Sequence, residues 1–175
     1  MAQSVTIGQI PTSAGVFGAA FSDVGLGRLT FPDEPFENCM AWARRWLPGA
    51  TVETAESGAD ARLADLTAQL SAYFAGERIV FTVPLDLRGT EFQVQVWRAL
   101  LDIAYGEVRS YAQIAAAIGR PTAVRAVGAA NGVNPAPIVV PCHRVIGANG
   151  SLTGYGGGIA MKERLLQREG VRLGA

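Results

Sequence analysis

Apolar and polar positions alternate in three short runs near the start of the chain: Ser4–Ile10, Val16–Ser22 and Arg28–Phe31. Pro11-Thr12-Ser13-Ala14-Gly15 and Asp23-Val24-Gly25-Leu26-Gly27 separate them. Period-two runs parted by Pro and Gly predict a meander of antiparallel strands. The period then changes. Phe36, Cys39, Met40, Ala43 and Leu47 recur at helical spacing, predicting a helix from about Pro35 to Leu47 that Pro48-Gly49 stops. Leu63, Leu66, Leu70 and Tyr73 predict a second helix from about Asp60 to Phe74, and Ile79–Val83 reads as a further strand. Cys39 falls on the apolar stripe of the first helix and reads as a core residue. Nothing in this half carries chemistry.

Pro84-Leu85-Asp86-Leu87-Arg88-Gly89 reads as a linker, placing domains at 1–85 and 86–175. Beyond it, Thr90-Glu91-Phe92-Gln93 has the pattern of a capping box, in which Thr90 and Gln93 satisfy each other's orphan amides. The helix it opens is expected to bury Phe92, Val96, Trp97, Leu100 and Leu101 and to end by Gly106. A second capping box, Ser110-Tyr111-Ala112-Gln113, opens a helix to about Ile118. Gly119-Arg120-Pro121-Thr122 turns the chain, and Thr122 is expected to cap a third helix, Ala123–Asn131. Two short helices joined by a Gly-containing turn predict a helix-turn-helix. Val124 and Val127 of the third helix would point inward. Arg125, Gly128, Ala129 and Gly132 form a flat opposite face, and two glycines cost helix stability. Close approach to a duplex groove, with Arg125 reaching in, accounts for that cost.

Asn134-Pro135-Ala136-Pro137 leads into Ile138-Val139-Val140, an apolar run that reads as a buried strand ended by Pro141. Cys142, His143 and Arg144 follow at once. A thiolate is the nucleophilic form of cysteine and needs a base or a positive charge beside it; both stand within two residues. Gly147-Ala148-Asn149-Gly150 signals a turn, and Thr153-Gly154-Tyr155-Gly156-Gly157-Gly158 suits a lid over a flat ligand. The last helix, Ile159 to Glu169, would bury Leu165 and Leu166, with Glu163 by default a surface charge and Gly170 as its stop.

Composition narrows the picture. The 175 residues suffice for one medium domain or two small ones. No run of eighteen apolar residues occurs and no basic stretch precedes an apolar block, so no membrane span or export signal is expected. Both cysteines are then expected to be reduced and the protein cytoplasmic. Net charge is zero, but residues 1–85 carry five Arg against nine acids, while residues 86–175 carry nine Arg and one Lys against six. The second half is therefore the basic one, compatible with phosphate contacts.

Residues 84–170 resemble the O6-alkylguanine-DNA alkyltransferases, which move an alkyl group from guanine O6 to their own cysteine. The likeness runs in order through Phe92-Gln93, Val96-Trp97, Ser110-Tyr111, Arg125-Ala126-Val127-Gly128, Asn134-Pro135, Pro141-Cys142-His143-Arg144-Val145, Gly154-Tyr155-Gly156-Gly157, Lys162-Glu163 and Leu165-Leu166. It implies an α+β protein: a small ribonuclease H-like N-terminal domain, then a mainly helical domain with a winged-helix-like DNA-binding element. It further implies direct-reversal repair of O6-alkylguanine, and of O4-alkylthymine, in duplex DNA by a single-turnover methylated-DNA–protein-cysteine methyltransferase.

By the same resemblance, Cys142 accepts the alkyl group, His143 is the base through a water, Glu163 orients His143, and Asn134 braces the turn. Tyr111 donates to guanine N3. Thr122, Arg125, Ala126, Gly128, Ala129 and Tyr111 meet DNA, Arg125 filling the space of the flipped nucleotide. Pro137, Val145, Tyr155, Gly156 and Gly157 line the pocket. No metal or cofactor is implied: one His and two Cys leave no counterpart for the zinc ligands or four-cysteine sensor of some members. A monomer is expected. Ala104 stands where the family often has proline, and Gly156 where some members have serine. The alternative is an alkyltransferase-like protein that flips alkylguanine without transfer; those usually carry tryptophan at the position of Cys142.

Overall fold

The computed structural model describes residues 3–174, which form two compact units meeting between Arg88 and Gly89. The first unit holds a four-stranded sheet of β1 (Ser4–Thr12), β2 (Gly15–Ser22), β3 (Leu26–Thr30) and β4 (Thr51–Ala55), in the order β3-β2-β1-β4. The meander forms as expected, with β1 antiparallel to β2 and β2 to β3. β4 is an addition to the expected fold. It pairs parallel with β1, from Ser4 beside Thr51 to Gly8 beside Ala55, and its side chains are exposed or half-buried. A strand with no buried face leaves no alternating signature in sequence. Helix α1 (Glu37–Trp46) crosses from β3 to β4 and buries Cys39, Trp42 and Ala43. Helix α2 (Ala61–Phe74) buries the expected Leu63, Leu66, Leu70 and Tyr73. Asp60 caps it, its carboxylate accepting from the Arg62 and Leu63 amides.

The strand expected at Ile79–Val83 does not form. Val80 is exposed, and the Thr82 amide donates to the Gln69 side chain instead of to a ladder. Residues 84–88 complete this unit. The Leu26 amide donates to the Pro84 carbonyl, the Asp86 amide donates to the Leu26 carbonyl, and Asp86 pairs with Arg88.

In the second unit, α3 (Glu91–Leu100), α4 (Tyr111–Ala117) and α5 (Val124–Gly132) form the helical layer. Both capping boxes are present, Thr90 with Gln93 and Ser110 with Gln113. Val96, Trp97 and Leu100 are buried, whereas Phe92 is half-buried and Leu101 exposed. The α4–turn–α5 corner forms, with Gly119 at φ 73°. Thr122 does not cap α5: the residue before the helix is Ala123, and no side chain caps it. Short strands β5 (Arg109–Ser110) and β6 (Val145–Ile146) pair in parallel, and α6 (Ile159–Arg168) closes the chain, with Gly170 at φ 78° beyond it.

Ile138-Val139-Val140 is buried, as expected, but it is not a strand. Ile138 has φ 73°, the one non-glycine residue in that region among the described residues, and the chain turns there. A β-branched residue in the left-handed region is strained, on the order of 1–3 kcal/mol, and persists only where its surroundings impose it. Burial, not pleating, explains the apolar run.

Candidate active site and nucleic-acid interface

The strained turn delivers Cys142-His143-Arg144 as one turn of 3-10 helix directly ahead of β6. Asn134 holds the turn from behind. Its Nδ2 donates to the Val140 carbonyl at 2.8 Å, and its Oδ1 accepts from the Ala136 amide at 3.0 Å. Cys142 is buried, with 4% of its surface exposed. Burial pushes its thiol up to about 11, because a buried anion loses its hydration. The Asn134 amide, the Lys162 charge and the backbone N–H groups of Cys142 and His143 act in the opposite direction, toward the thiolate.

His143 and Arg144 converge on one carboxylate, and it is not the expected one. Glu163 is exposed on α6, where its Oε1 accepts from Gln167 at 3.3 Å. Six residues on, Glu169 lies 2.7 Å from His143 Nε2. Arg144 Nε donates to Glu169 Oε2 at 2.8 Å, Arg144 Nη2 donates to Oε1 at 3.0 Å, and Nη1 donates to the Ile103 carbonyl at 2.6 Å. The carboxylate that meets His143 is therefore Glu169. Helical phase decides the matter: Lys162, Leu165, Leu166 and Glu169 are the buried residues at this end of the chain, and Glu163 points to the opposite side. The buried stripe at intervals of three and four ran through Glu169, and that signal was available in the sequence.

Protonation follows from this geometry. Burial opposes the Glu169 charge, but the hydrogen bonds from His143 and Arg144 outweigh it and hold the carboxyl down to about 2. Burial also pushes His143 below its ordinary value, against the pull of Glu169, so near neutrality the imidazole is uncharged. Facing a carboxylate, Nε2 must carry the proton and donate it. Nδ1, buried and without a hydrogen-bond partner among the described residues, is then left with its lone pair. The arrangement provides a thiol, an adjacent neutral base and a carboxylate that fixes the base's tautomer, the relation that activates nucleophiles in hydrolytic triads.

Lys162 is a second residue that the sequence reading passed over. It is fully buried on α6, and its Nζ donates to the Val145 carbonyl at 2.5 Å and to the Thr153 carbonyl at 3.0 Å. It thus ties β6 to the glycine-rich loop, and it lies 5.9 Å from the centre of the Tyr111 ring. The Tyr111 hydroxyl also donates to the Thr153 carbonyl, at 3.2 Å. Val145 and Pro137 are buried beside the turn; Tyr155 and Gly157 are half-buried and Gly156 exposed in the loop. Gly154 and Gly158 take positive φ there.

Helix α5 presents Arg125, Ala126, Ala129 and Gly132 to solvent, while Val127, Ala130 and Asn131 are buried. Thr122 is exposed just ahead of it, and a Cβ on Gly132 would meet nothing within 4 Å. A Cβ on Gly128 would sit 3.8 Å from the Tyr111 ring, an ordinary contact. Neither glycine is demanded by packing within the unit. The Trp97 indole anchors the helix, donating to the Ala130 carbonyl at 2.8 Å. Among the described residues no cluster of three or more His, Cys, Asp or Glu could hold a metal ion, and no helix is long and apolar enough to cross a membrane.

Comparison with known proteins shows the family. Residues 91–171 match the model of the 6-O-methylguanine DNA methyltransferase DNA-binding domain, and residues 10–87 match that family's ribonuclease-like domain. The chain is 59% identical over 149 residues to a methylated-DNA–protein-cysteine methyltransferase of Mycobacterium tuberculosis, covering 84% of this chain and 88% of that protein. It is 49% identical over 145 residues to the inducible enzyme of Bacillus subtilis, covering 83% and 79%. Among solved structures, the O6-methylguanine methyltransferase of M. tuberculosis superposes with a TM-score of 0.77 at 47% identity, over 94% of this chain and 92% of that one. A structure of the M. tuberculosis protein in complex with DNA gives the same TM-score at 45% identity, over 94% and 92%. The chain belongs to the methylated-DNA–protein-cysteine methyltransferase family, the direct-reversal DNA repair enzymes, with a ribonuclease-like domain followed by a DNA-binding domain that carries the Cys142 turn.

Proposed function

We propose that the protein, as a monomer, binds duplex DNA through the outer face of α5 and draws O6-alkylguanine from the stack into the pocket beside Cys142. There it transfers the alkyl group irreversibly to the Cys142 sulfur. The observation that carries this reading is the buried Cys142 thiol next to a buried His143 whose Nε2 lies 2.7 Å from the Glu169 carboxylate. Arg125 takes the place of the flipped base, at an unstacking cost of a few kcal/mol. Thr122, Ala126, Gly128 and Ala129 line the approach to the backbone.

In the transfer, the thiol proton passes through a water to His143 Nδ1. A bond then forms from sulfur to the alkyl carbon as the bond from that carbon to O6 breaks, and the electron pair withdraws into the guanine ring. Tyr111 eases departure by giving up its bond to the Thr153 carbonyl and donating to guanine N3. Lys162, which also donates to that carbonyl, keeps the loop in place during the exchange. Pro137, Val145, Tyr155, Gly156 and Gly157 enclose the base. A thioether has no leaving group for water to displace, so each molecule reacts once. The same site accepts O4-alkylthymine, which presents an equivalent alkyl ether.

The test is incubation with duplex DNA containing O6-methylguanine, followed by peptide mass spectrometry. One methyl group per protein is expected on Cys142, and none in Cys142→Ala, which still binds DNA. Turnover beyond one equivalent, or DNA bound with Cys142 unmodified, would overturn the reading.

A further inference from the structure

Asn131 sits in the last turn of α5 with 4% of its surface exposed. Its Nδ2 donates to the Cys142 carbonyl over a long 3.4 Å, and its Oδ1 is buried with no hydrogen-bond partner among the described residues. Rotating the amide would set two oxygens against each other, so the orientation is determined. An asparagine here is expensive. It is a poor helix former, and an apolar side chain of its size would fill the space without stranding an oxygen. Three residues on, Asn134 holds the Val140 carbonyl, so two amides grip alternate carbonyls of the strained turn.

The Cys142 carbonyl and the His143 N–H belong to one rigid peptide plane. That plane is anchored at the Cys142 Cα, from which the side chain carrying the sulfur projects. We infer that Asn131 is a positioning residue for the acceptor thiol: by holding the Cys142 carbonyl, as Asn134 holds that of Val140, it fixes the backbone from which the sulfur projects. The charge acting on that sulfur is Lys162 from α6; within the turn itself stand the uncharged His143 and the charged Arg144, both tied to Glu169. Asn131 adds a neutral constraint that none of these supplies. The inference rests on the reading of Cys142 as the acceptor.

The test is the rate of Cys142 modification by iodoacetamide from pH 6 to 9, where it is proportional to the thiolate fraction, followed by peptide mass spectrometry on the full chain. Asn131→Leu is expected to move that profile up by about one pH unit, a roughly tenfold slower modification at neutral pH. Asn131→Asp, which adds a negative charge, moves it further. Asn131→Ser keeps a donor, recovers part of the shift, and serves as the measurement if the leucine variant does not fold. Duplex DNA affinity stays at the wild-type value. A wild-type profile in the folded leucine and aspartate variants, or in the aspartate and serine variants, would overturn the inference. Iodoacetamide needs no alkylguanine, so a shifted profile in a protein that fails to accept methyl groups from DNA would sink the functional reading while showing that Asn131 does position the Cys142 thiol.

Discussion

The two units bury polar groups very differently. Among the described residues, the buried polar ones of the first are Thr6, Ser22, Thr30 and Asp86, and only Asp86 is charged, paired with Arg88. The second buries Asn131, Asn134, His143, Arg144, Lys162 and Glu169, all of which belong to or touch the Cys142 turn and the loop beside it. Buried charges contribute little net stability even when well paired, and an apolar core would often do better. The first unit is built as a scaffold is built. The second accepts that cost where the chemistry is, so variants in the two should fail in different ways.

The largest effect is expected at Glu169. Glu169→Ala leaves the Arg144 guanidinium buried without its carboxylate, which should cost roughly 3–5 kcal/mol in urea unfolding. It also frees His143 to adopt the wrong tautomer, so methyl transfer from duplex DNA should fall about 10²–10⁴-fold in single-turnover assays. Glu169→Gln, which retains shape, separates the two losses. Full transfer activity in that variant would remove the carboxylate from the relay.

Acid and base should expose the same asymmetry. Glu169 titrates at about 2 in the folded protein against about 4.5 when unfolded, so its stabilisation is complete above pH 4.5 and is lost as pH falls toward 2. His143 has a lowered folded value, so below about pH 6.5 the unfolded chain takes up a proton that the folded one refuses, and stability falls there too. At the alkaline end the sign reverses. Cys142 and Cys39 hold their protons up to about 11 and 12, so the unfolded chain ionises first and stability declines above about pH 8.5. Urea midpoints measured across pH 3–11 should show a plateau between 6.5 and 8.5. Glu169→Gln should flatten the acid limb, and Cys39→Ala with Cys142→Ala the alkaline one.

Smaller effects belong to the scaffold and the surface. Cys39 is fully buried among Val5, Ile7, Ala20, Trp42 and Ala43, and Cys39→Ala should cost about 1 kcal/mol by leaving a small cavity. Its transfer rate should equal the wild-type rate. Glu163→Ala should change stability by no more than about 0.5 kcal/mol and leave transfer intact. A defect there comparable to that of Glu169→Ala would reverse the assignment of the two glutamates.

The sequence disclosed the elements better than their contacts. Capping boxes at Thr90 and Ser110 were legible because a local pattern makes them, and α2 because four leucine and tyrosine positions define one face. β4 was hidden because Thr51–Ala55 has no buried side to alternate. Ile138–Val140 read as a strand because burial alone produces an apolar run, and only backbone geometry distinguishes a buried turn from a buried strand. Cys142 and His143 were plain from adjacency. Their partner was not, because Glu163 lies on α6 and Glu169 at its C-cap, and only the helix's rotation chooses between them. Lys162 and Asn131 were passed over for a related reason: lysine and asparagine read as surface residues until a carbonyl is found at their ends.

Ile138 has one more consequence. A left-handed isoleucine is a conformation that a loosened chain abandons first, since nothing local favours it. The geometry that sets Cys142 in place is thus available only to molecules whose second unit is wholly assembled, and a frayed or misfolded copy has an ordinary cysteine in its stead. Under the proposed chemistry, titrating the protein with alkylated DNA therefore takes a census of native molecules: the number of groups transferred is the number of correctly folded chains.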